Sequence, residues 1–296
     1  MDLWIQFTLL AAAMQTARMA AQKSITRKLS PLAVTTVRYA FGLPFALLYL
    51  MYVCTPGAIY SATIESPRLE FYAYAILAGV AQIAATLLLV KLLTHRNFAV
   101  ATILSKTEAI QLAILGFLFI GTHLSWQEWL AVCAGCTGVC ILSYRSTAVN
   151  FDAKSMLLGL LSGSGFALTA LWIREATLVL DLPFVQRAAL TLAFITLIQS
   201  LLCLLLTAAI EKRQLRLMRS QLAQCAFIGI TSTAGSIGWF TALALENAAL
   251  VRTLGQVEVL FSLMVTYCIF GERLLPKEWM GAACLVAGVT VILIRS

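Results

Sequence analysis

Two stretches, one at the end of each half of the chain, decide the fold. Residues 121–146 read GTHLSWQEWLAVCAGCTGVCILSYRS, and residues 271–296 read GERLLPKEWMGAACLVAGVTVILIRS. A shift of 150 residues aligns them without a gap, so that Gly, Leu, Glu-Trp, Gly-Val and Arg-Ser coincide. A shared apolar composition produces chance matches of Ala and Leu, but not this run of Glu, Trp, Gly and Arg. The chain therefore contains an internal repeat.

The same offset continues toward the start of each half. It pairs Asn97 with Asn247, Leu104 with Leu254 and Glu108 with Glu258. We predict that the chain consists of two repeats, residues 1–146 and residues 151–296.

The composition indicates that lipid is the solvent for most of the chain. Of its 296 residues 61% are hydrophobic and 11% charged, and the mean hydropathy is +0.91. A soluble domain has roughly 25% charged residues and about half apolar ones. The net charge is +8, but most cations lie between apolar runs. They are therefore interpreted as membrane-surface anchors, with lipid and not nucleic acid as their partner.

Ten apolar runs reach the length of about 20 residues that a helix needs to cross a bilayer. These predicted spans 1 to 10 lie near residues 3–21, 31–53, 71–92, 97–120, 126–144, 155–176, 184–210, 220–243, 247–270 and 276–294. The sequence predicts an all-α membrane protein with five helices per repeat. Because five is odd, the second repeat enters the membrane from the opposite side. Inverted repeats are typical of alternating-access carriers, whose site lies near the midplane between the halves.

The Lys and Arg residues of the loops predict the orientation. Thirteen of them lie in the loops after spans 1, 3, 5, 7 and 9, and three lie on the other side. The positive-inside rule then places both termini outside the cytoplasm.

Several short patterns resemble an EamA domain of the drug/metabolite transporter superfamily. They are Gly271-Glu272-Arg273-Leu274, Glu278-Trp279-Met280-Gly281-Ala282, Gly288-Val289, Ser30-Pro31 and Val37-Arg38-Tyr39. Two such domains would cover essentially the whole chain. The resemblance implies export or exchange of amino acids, related metabolites or drugs. It also implies a central cavity among spans 1, 3, 4, 6, 8 and 9, and termini in the cytoplasm, opposite to the loop charges. Members often have Glu-Pro in spans 4 and 9, whereas here Ala109 follows Glu108 and Val259 follows Glu258.

Four charged residues form the main candidate site. Lys106 and Glu108 lie in the middle of span 4, and Arg252 and Glu258 lie in span 9. Helical spacing places Gln256 on the same face as Arg252. One interpretation is that these residues form buried ion pairs that join the halves. The other is a polar substrate site, whose zero net charge suits a zwitterion.

Other polar residues at the same depth are weaker candidates. They are Gln15 in span 1, Gln82 in span 3, and Ser232, Ser236 and Trp239 in span 8. Each one alternatively makes an interhelical hydrogen bond. We expect Arg18, Arg38 and Arg187, which lie within a few turns of a span end, to reach the lipid headgroups.

The sequence predicts a secondary transporter, without catalytic residues, metal or cofactor, that exports a small polar metabolite such as an amino acid. Protons acting through Glu108 or Glu258 are the first candidate for the coupling ion. A multidrug organic-cation exporter is an alternative, although spans 1 and 6 lack a mid-span acid. An intramembrane lipid-modifying enzyme would need acids beside a metal or phosphate partner, and a sensor or assembly protein is a further alternative. We expect a multi-pass protein of a bacterial inner membrane, as a monomer or homodimer.

Overall fold

The computed structural model describes residues 2–65, 68–93, 107–143, 153–261, 263–264 and 276–295. Within those ranges the chain is helical and contains no strand. The helices are α1 (Leu3–Ile25), α2 (Pro31–Ala40), α3 (Leu43–Val53), α4 (Pro56–Tyr60), α5 (Leu69–Leu93), α6 (Glu108–Ile120), α7 (Trp126–Ser143), α8 (Ala153–Val179), α9 (Phe184–Ile210), α10 (Lys212–Arg219), α11 (Leu222–Leu245), α12 (Ala248–Gly255) and α13 (Pro276–Arg295). A π-helical turn covers Ser61–Glu65. Lys106, Asn97 and the Gly271–Leu274 pattern lie outside the described residues.

The described part of the chain contains membrane-spanning helices. Five stretches are long and apolar enough to cross a bilayer: Pro31–Val53, Leu69–Lys91, Met156–Val179, Phe184–Ile210 and Leu222–Leu245. Three shorter apolar helices cover Glu108–Ile120, Trp126–Leu142 and Trp279–Ile294. The chain is therefore a multi-pass membrane protein, and the count of ten spans stays a prediction.

Local capping explains where several helices begin and end. Ser30 accepts a hydrogen bond from the Ala33 amide (3.1 Å) before Pro31 opens α2. At α7, the Glu128 carboxylate accepts from the Ser125 amide (2.6 Å), while the Ser125 hydroxyl accepts from the Glu128 amide, which is a capping box. Gly121 has a φ of 73° and ends α6 in the left-handed conformation that glycine adopts without strain.

Two of the predicted spans each divide into two helical segments. Span 2 divides into α2 and α3 at Phe41–Gly42, because Pro44 lacks the amide proton that a continuous helix would donate to Ala40. Span 9 breaks after α12. There the amides of Gln256 and Val257 donate to the carbonyls three residues earlier, and the chain is helical again from residue 258. Glu258 is thus the first residue of a new helical segment, as Glu108 is the first of α6.

The helices pack in pairs that small residues bring close together. The most extensive contacts join α5 with α8, α1 with α11, and α7 with α13. A buried apolar core lies toward the end of the bundle at which α1 begins and α11 ends, which we call the Trp4 end. That core includes Trp4, Leu112, Leu243 and Leu250. The opposite end, where α1 carries Lys23 and α5 carries Lys91, is called the Lys23 end.

Candidate functional site

A cavity lies at the centre of the helices. Its lining comes from α1, α2, α5, α6, α8, α11 and α12 and consists of Gln15, Arg18, Met19, Arg38, Gln82, Leu89, Glu108, Phe166, Trp239 and Arg252. A smaller cavity shares Gln15, Glu108, Trp239 and Arg252 with it and adds Ala109, Gly255, Gln256 and Glu258. The two cavities together are called the central cavity.

An ion pair crosses the cavity between the two predicted repeats. The Nε atom of Arg252 on α12 lies 3.0 Å from Oε1 of Glu108 at the start of α6. The side chains are only 9% and 15% exposed, respectively. The Arg252 guanidinium also lies over the Trp239 ring, 4.4 Å from its centroid. Charge pairing and cation–π attraction therefore hold Arg252 against the cavity wall.

A second polar link joins α1 to the helical segment that follows α12. Gln15 donates from Nε2 to Oε2 of Glu258, and its Oε1 accepts from the Trp239 indole N–H at 3.0 Å. Thr16 donates to the Glu258 carbonyl at 3.3 Å. Because Glu258 is 5% exposed, its carboxylate is held by hydrogen bonds in a desolvated position between the repeats.

Arg18 and Arg38 are cavity residues, and the expectation that they reach lipid headgroups was wrong. They are 5% and 7% exposed, respectively. Arg18 donates to Oε1 of Gln22 at 2.7 Å, and Arg38 donates to the Thr86 hydroxyl at 2.8 Å. The helices turn both side chains inward, since a guanidinium in a helical bundle lowers its desolvation cost by facing a wet cavity.

Arg187 also differs from its expected role. Its Nη2 donates to the Ala244 carbonyl at 2.6 Å, which lies in the last turn of α11. Arg174 donates to the carbonyls of Leu243 (2.9 Å) and Glu246 beside it. These two cations satisfy the carbonyls that a helix leaves unpaired at its C-terminus, and they interact favourably with its dipole.

A small polar recess adjoins the cavity, with Arg38 and Gln82 in both linings. Gln199 donates from Nε2 to Oε1 of Gln82 at 2.8 Å. Ser232 and Ser236 of α11 also line the recess. The Ser232 hydroxyl is buried and has no hydrogen-bond partner among the described residues. The recess therefore offers polar groups that water or a ligand can meet.

The structure brings the predicted site residues together wherever it describes them. Gln15, Gln82, Glu108, Trp239 and Arg252 line the main cavity, Gln256 and Glu258 its smaller part, and Ser236 the recess. Gln256 also reaches α7, where its Nε2 lies 3.2 Å from the Cys136 sulfur. Their role in substrate binding stays a prediction, as does that of Lys106.

Comparison with known proteins gives a family for this arrangement. The model of the EamA-like transporter family matches residues 2–144 and again residues 153–294. The chain belongs to the EamA-like transporter family. The two matches of this family model agree with the EamA resemblance that the short sequence patterns indicated. A search of curated proteins found no match.

A solved crystal structure has the same fold as this EamA-like protein. The TM-score is 0.75 at 13% identity, and the alignment covers 98% of this chain and 97% of the other. That identity is low enough that the likeness shows the fold alone.

Sequence reasoning missed five residues that line the larger of the two cavities: Arg18, Met19, Arg38, Leu89 and Phe166. A signal existed for the two arginines, because an intramembrane cation faces protein or a wet cavity more often than lipid. Met19, Leu89 and Phe166 carry no such signal, since apolar residues line lipid-facing and cavity-facing surfaces alike.

Proposed function

We propose that this EamA-like protein is a secondary transporter of the bacterial inner membrane. It exports a small polar metabolite, such as an amino acid, by alternating access. The observation that carries the proposal is the polar contact between repeats inside one cavity. Glu108 pairs with Arg252, and Gln15 bonds Glu258, so each link has one partner from each half. A solute bound there touches both halves and can respond when they rock against each other.

The helix contacts support inverted repeats. A shift of 150 residues converts α1 into α8, α5 into α11, and α7 into α13. The same exchange converts the α1–α11 contact into the α8–α5 contact and leaves α7–α13 unchanged. A two-fold axis between the repeats produces this pattern. With five spans in each repeat, that axis lies in the membrane plane.

The position of the cavity supports loading from the cytoplasm. The central cavity reaches Met19 and Leu89 toward the Lys23 end. A buried apolar cluster that includes Ile25 and Val90 lies at that end, and a separate cavity lined by Trp4 lies at the other. The Lys23 end receives the cation-rich loops of the sequence and is therefore the cytoplasmic side in the predicted orientation. In the predicted orientation the cavity therefore extends toward the cytoplasm, the compartment from which an exporter takes its solute.

The cavity charges disfavour a multidrug cation exporter. Arg18, Arg38 and Arg252 face two acids, Glu108 and Glu258. An organic cation would need an excess of acids in a desolvated site. The described lining has the opposite balance.

The test neutralises charges that the two interpretations treat differently. Glu258→Gln and Lys106→Ala are purified beside Glu70→Gln, which changes an exposed acid in the first turn of α5. If the charges bind solute, both variants stay folded in detergent while amino-acid transport into proteoliposomes collapses. If they only lock the fold, removing one partner costs roughly 3–5 kcal/mol and the protein fails to accumulate. Normal transport by well-folded Lys106→Ala would contradict its place in the site.

Ligand binding gives an independent measurement on the wild-type protein. A ligand at 100 times its dissociation constant adds about 2.7 kcal/mol of apparent stability. A panel of amino acids should therefore contain members that raise the melting temperature of the wild type but not of Glu258→Gln.

A further inference from the structure

Two buried arginines of the cavity lack an acidic partner among the described residues. Arg18 and Arg38 hydrogen-bond to neutral groups, the Gln22 amide oxygen and the Thr86 hydroxyl. Each guanidinium carries five N–H donors in a planar fork, and each residue is more than nine-tenths buried. The Arg38 guanidinium also lies over the Tyr39 ring, 5.1 Å from its centroid. Most of the donors have no partner among the described residues, and both side chains line the cavity.

The acids of the cavity are occupied elsewhere. Glu108 pairs with Arg252 at 3.0 Å, and Glu258 receives the Gln15 amide. Three arginines against two glutamates leave a charge of +1 over the described lining. A desolvated site with that excess is completed by a solute with a net charge of −1.

We propose that Arg18 and Arg38 form an anion subsite that binds the carboxylate of an acidic amino acid. The proposal rests on the proposed function and names the charge class of its solute. An acidic amino acid has two carboxylates and one ammonium group, so its net charge of −1 balances the charge of the described lining. One carboxylate lies against the Arg18–Arg38 pair in fork-like, charge-assisted hydrogen bonds.

Two other arginines of the same bundle, Arg174 and Arg187, have a packing role that Arg18 and Arg38 do not share. Arg174 and Arg187 bond the carbonyls at the end of α11 and make no contribution to the central cavity lining. Arg18 and Arg38 bond no backbone carbonyl among the described residues, and both line the cavity. Arg187 is therefore a matched control, since it is a partly buried arginine of the same fold outside the cavity.

The experiment compares solutes that differ by one ionised group. The full-length protein is reconstituted in proteoliposomes, and exchange is measured for L-glutamate against L-glutamine, L-aspartate against L-asparagine, and succinate against succinamate. We expect the acidic member of at least one pair to be transported with a KM at least about tenfold lower. Losing a charge-assisted hydrogen bond should then raise that KM about 10- to 100-fold in Arg18→Gln and in Arg38→Gln. Arg187→Gln should keep the wild-type preference.

Conservative variants separate binding from folding. Arg18→Lys and Arg38→Lys keep the charge and should retain part of the preference for the acidic solute, even if a Gln variant fails to fold. An unchanged KM for the acidic solute in folded Arg18→Gln and Arg38→Gln would overturn the subsite. Transport of the neutral member of every pair in preference to the acidic one would overturn it while leaving the proposed function intact. If none of these solutes is exchanged, nor L-leucine or L-serine, both the proposed function and the subsite are wrong.

Discussion

At the wall of the central cavity, the guanidinium of Arg252 lies between the Glu108 carboxylate and the Trp239 ring. Trp239 also connects Arg252 to Glu258 through hydrogen bonds. Its indole N–H donates to Gln15, and the Gln15 amide donates to Glu258. Five side chains from both repeats thus form one connected network. In such a network the cost of one substitution depends on whether its neighbours are present.

Replacing Arg252 by Lys tests how much the stacking contributes. Arg252→Lys keeps the charge for Glu108 but loses the planar group over Trp239, so the free energy of unfolding should fall by about 1 kcal/mol. Trp239→Phe keeps an aromatic face but removes the donor to Gln15, with a loss of similar size, about 1 kcal/mol. The double variant should lose less free energy of unfolding than the two single variants lose together. Apparent melting temperatures in detergent measure all three.

The control for that cycle is Trp126→Phe. Trp126 is 69% exposed at the start of α7, so its replacement should leave the melting temperature unchanged and add nothing to Arg252→Lys. Strictly additive losses for Arg252→Lys and Trp239→Phe would show that the two side chains do not act together.

Among the helices, the contact between α7 and α13 depends on glycines that the repeat places at equivalent positions. A Cβ atom at Gly138 would lie 2.6 Å from the Leu285 nitrogen and 2.8 Å from the Gly281 carbonyl oxygen. A Cβ atom at Gly288 would lie 2.9 Å from the Ala131 carbonyl oxygen. Backbone atoms cannot move aside as a flexible side chain can. The helices therefore approach as closely as glycine allows.

Gly138→Ala should consequently force α7 and α13 apart. We expect a loss of roughly 1–3 kcal/mol, as for other overpacked positions, seen as a lower melting temperature and a smaller monodisperse fraction. Gly57→Ala is the matched control, since a Cβ atom at Gly57 would meet nothing within 4 Å. Equal stability of the two variants would contradict the close crossing.

On the scale of the whole molecule, two criteria give opposite orientations. Thirteen loop cations against three place the Lys23 end in the cytoplasm and both termini outside. The family resemblance implies cytoplasmic termini. The direction of transport depends on this choice, because the cavity extends toward the Lys23 end.

Reporter fusions decide the orientation. We expect alkaline phosphatase fused after Ser296 to be active, because the cation count places that end in the periplasm. The same enzyme fused after Ser146, which follows five predicted spans, should be inactive. Green fluorescent protein at the two positions should give the reverse result. Activity after Ser146 together with inactivity after Ser296 would show that the family topology holds.

The sequence by itself determined the membrane environment, the repeat and most of the polar residues of the cavity. Hydropathy is a property of composition, and the 150-residue offset marked Glu108 and Glu258 without any knowledge of their neighbours. Spans such as Phe184–Ile210 were predicted at their observed bounds, because apolar length alone fixes where a helix leaves the bilayer.

Only the tertiary structure decided which partners these residues meet. The pairing of Glu108 with Arg252, and the break after Gly255 that places Glu258 beside Gln15, depend on how distant helices pack. The inward direction of Arg18 and Arg38 also depends on packing, since a cation two turns from a helix end can reach either headgroups or a cavity. Position along a helix sets the depth of a charge, whereas the neighbouring helices determine whether that charge meets lipid, protein or solute.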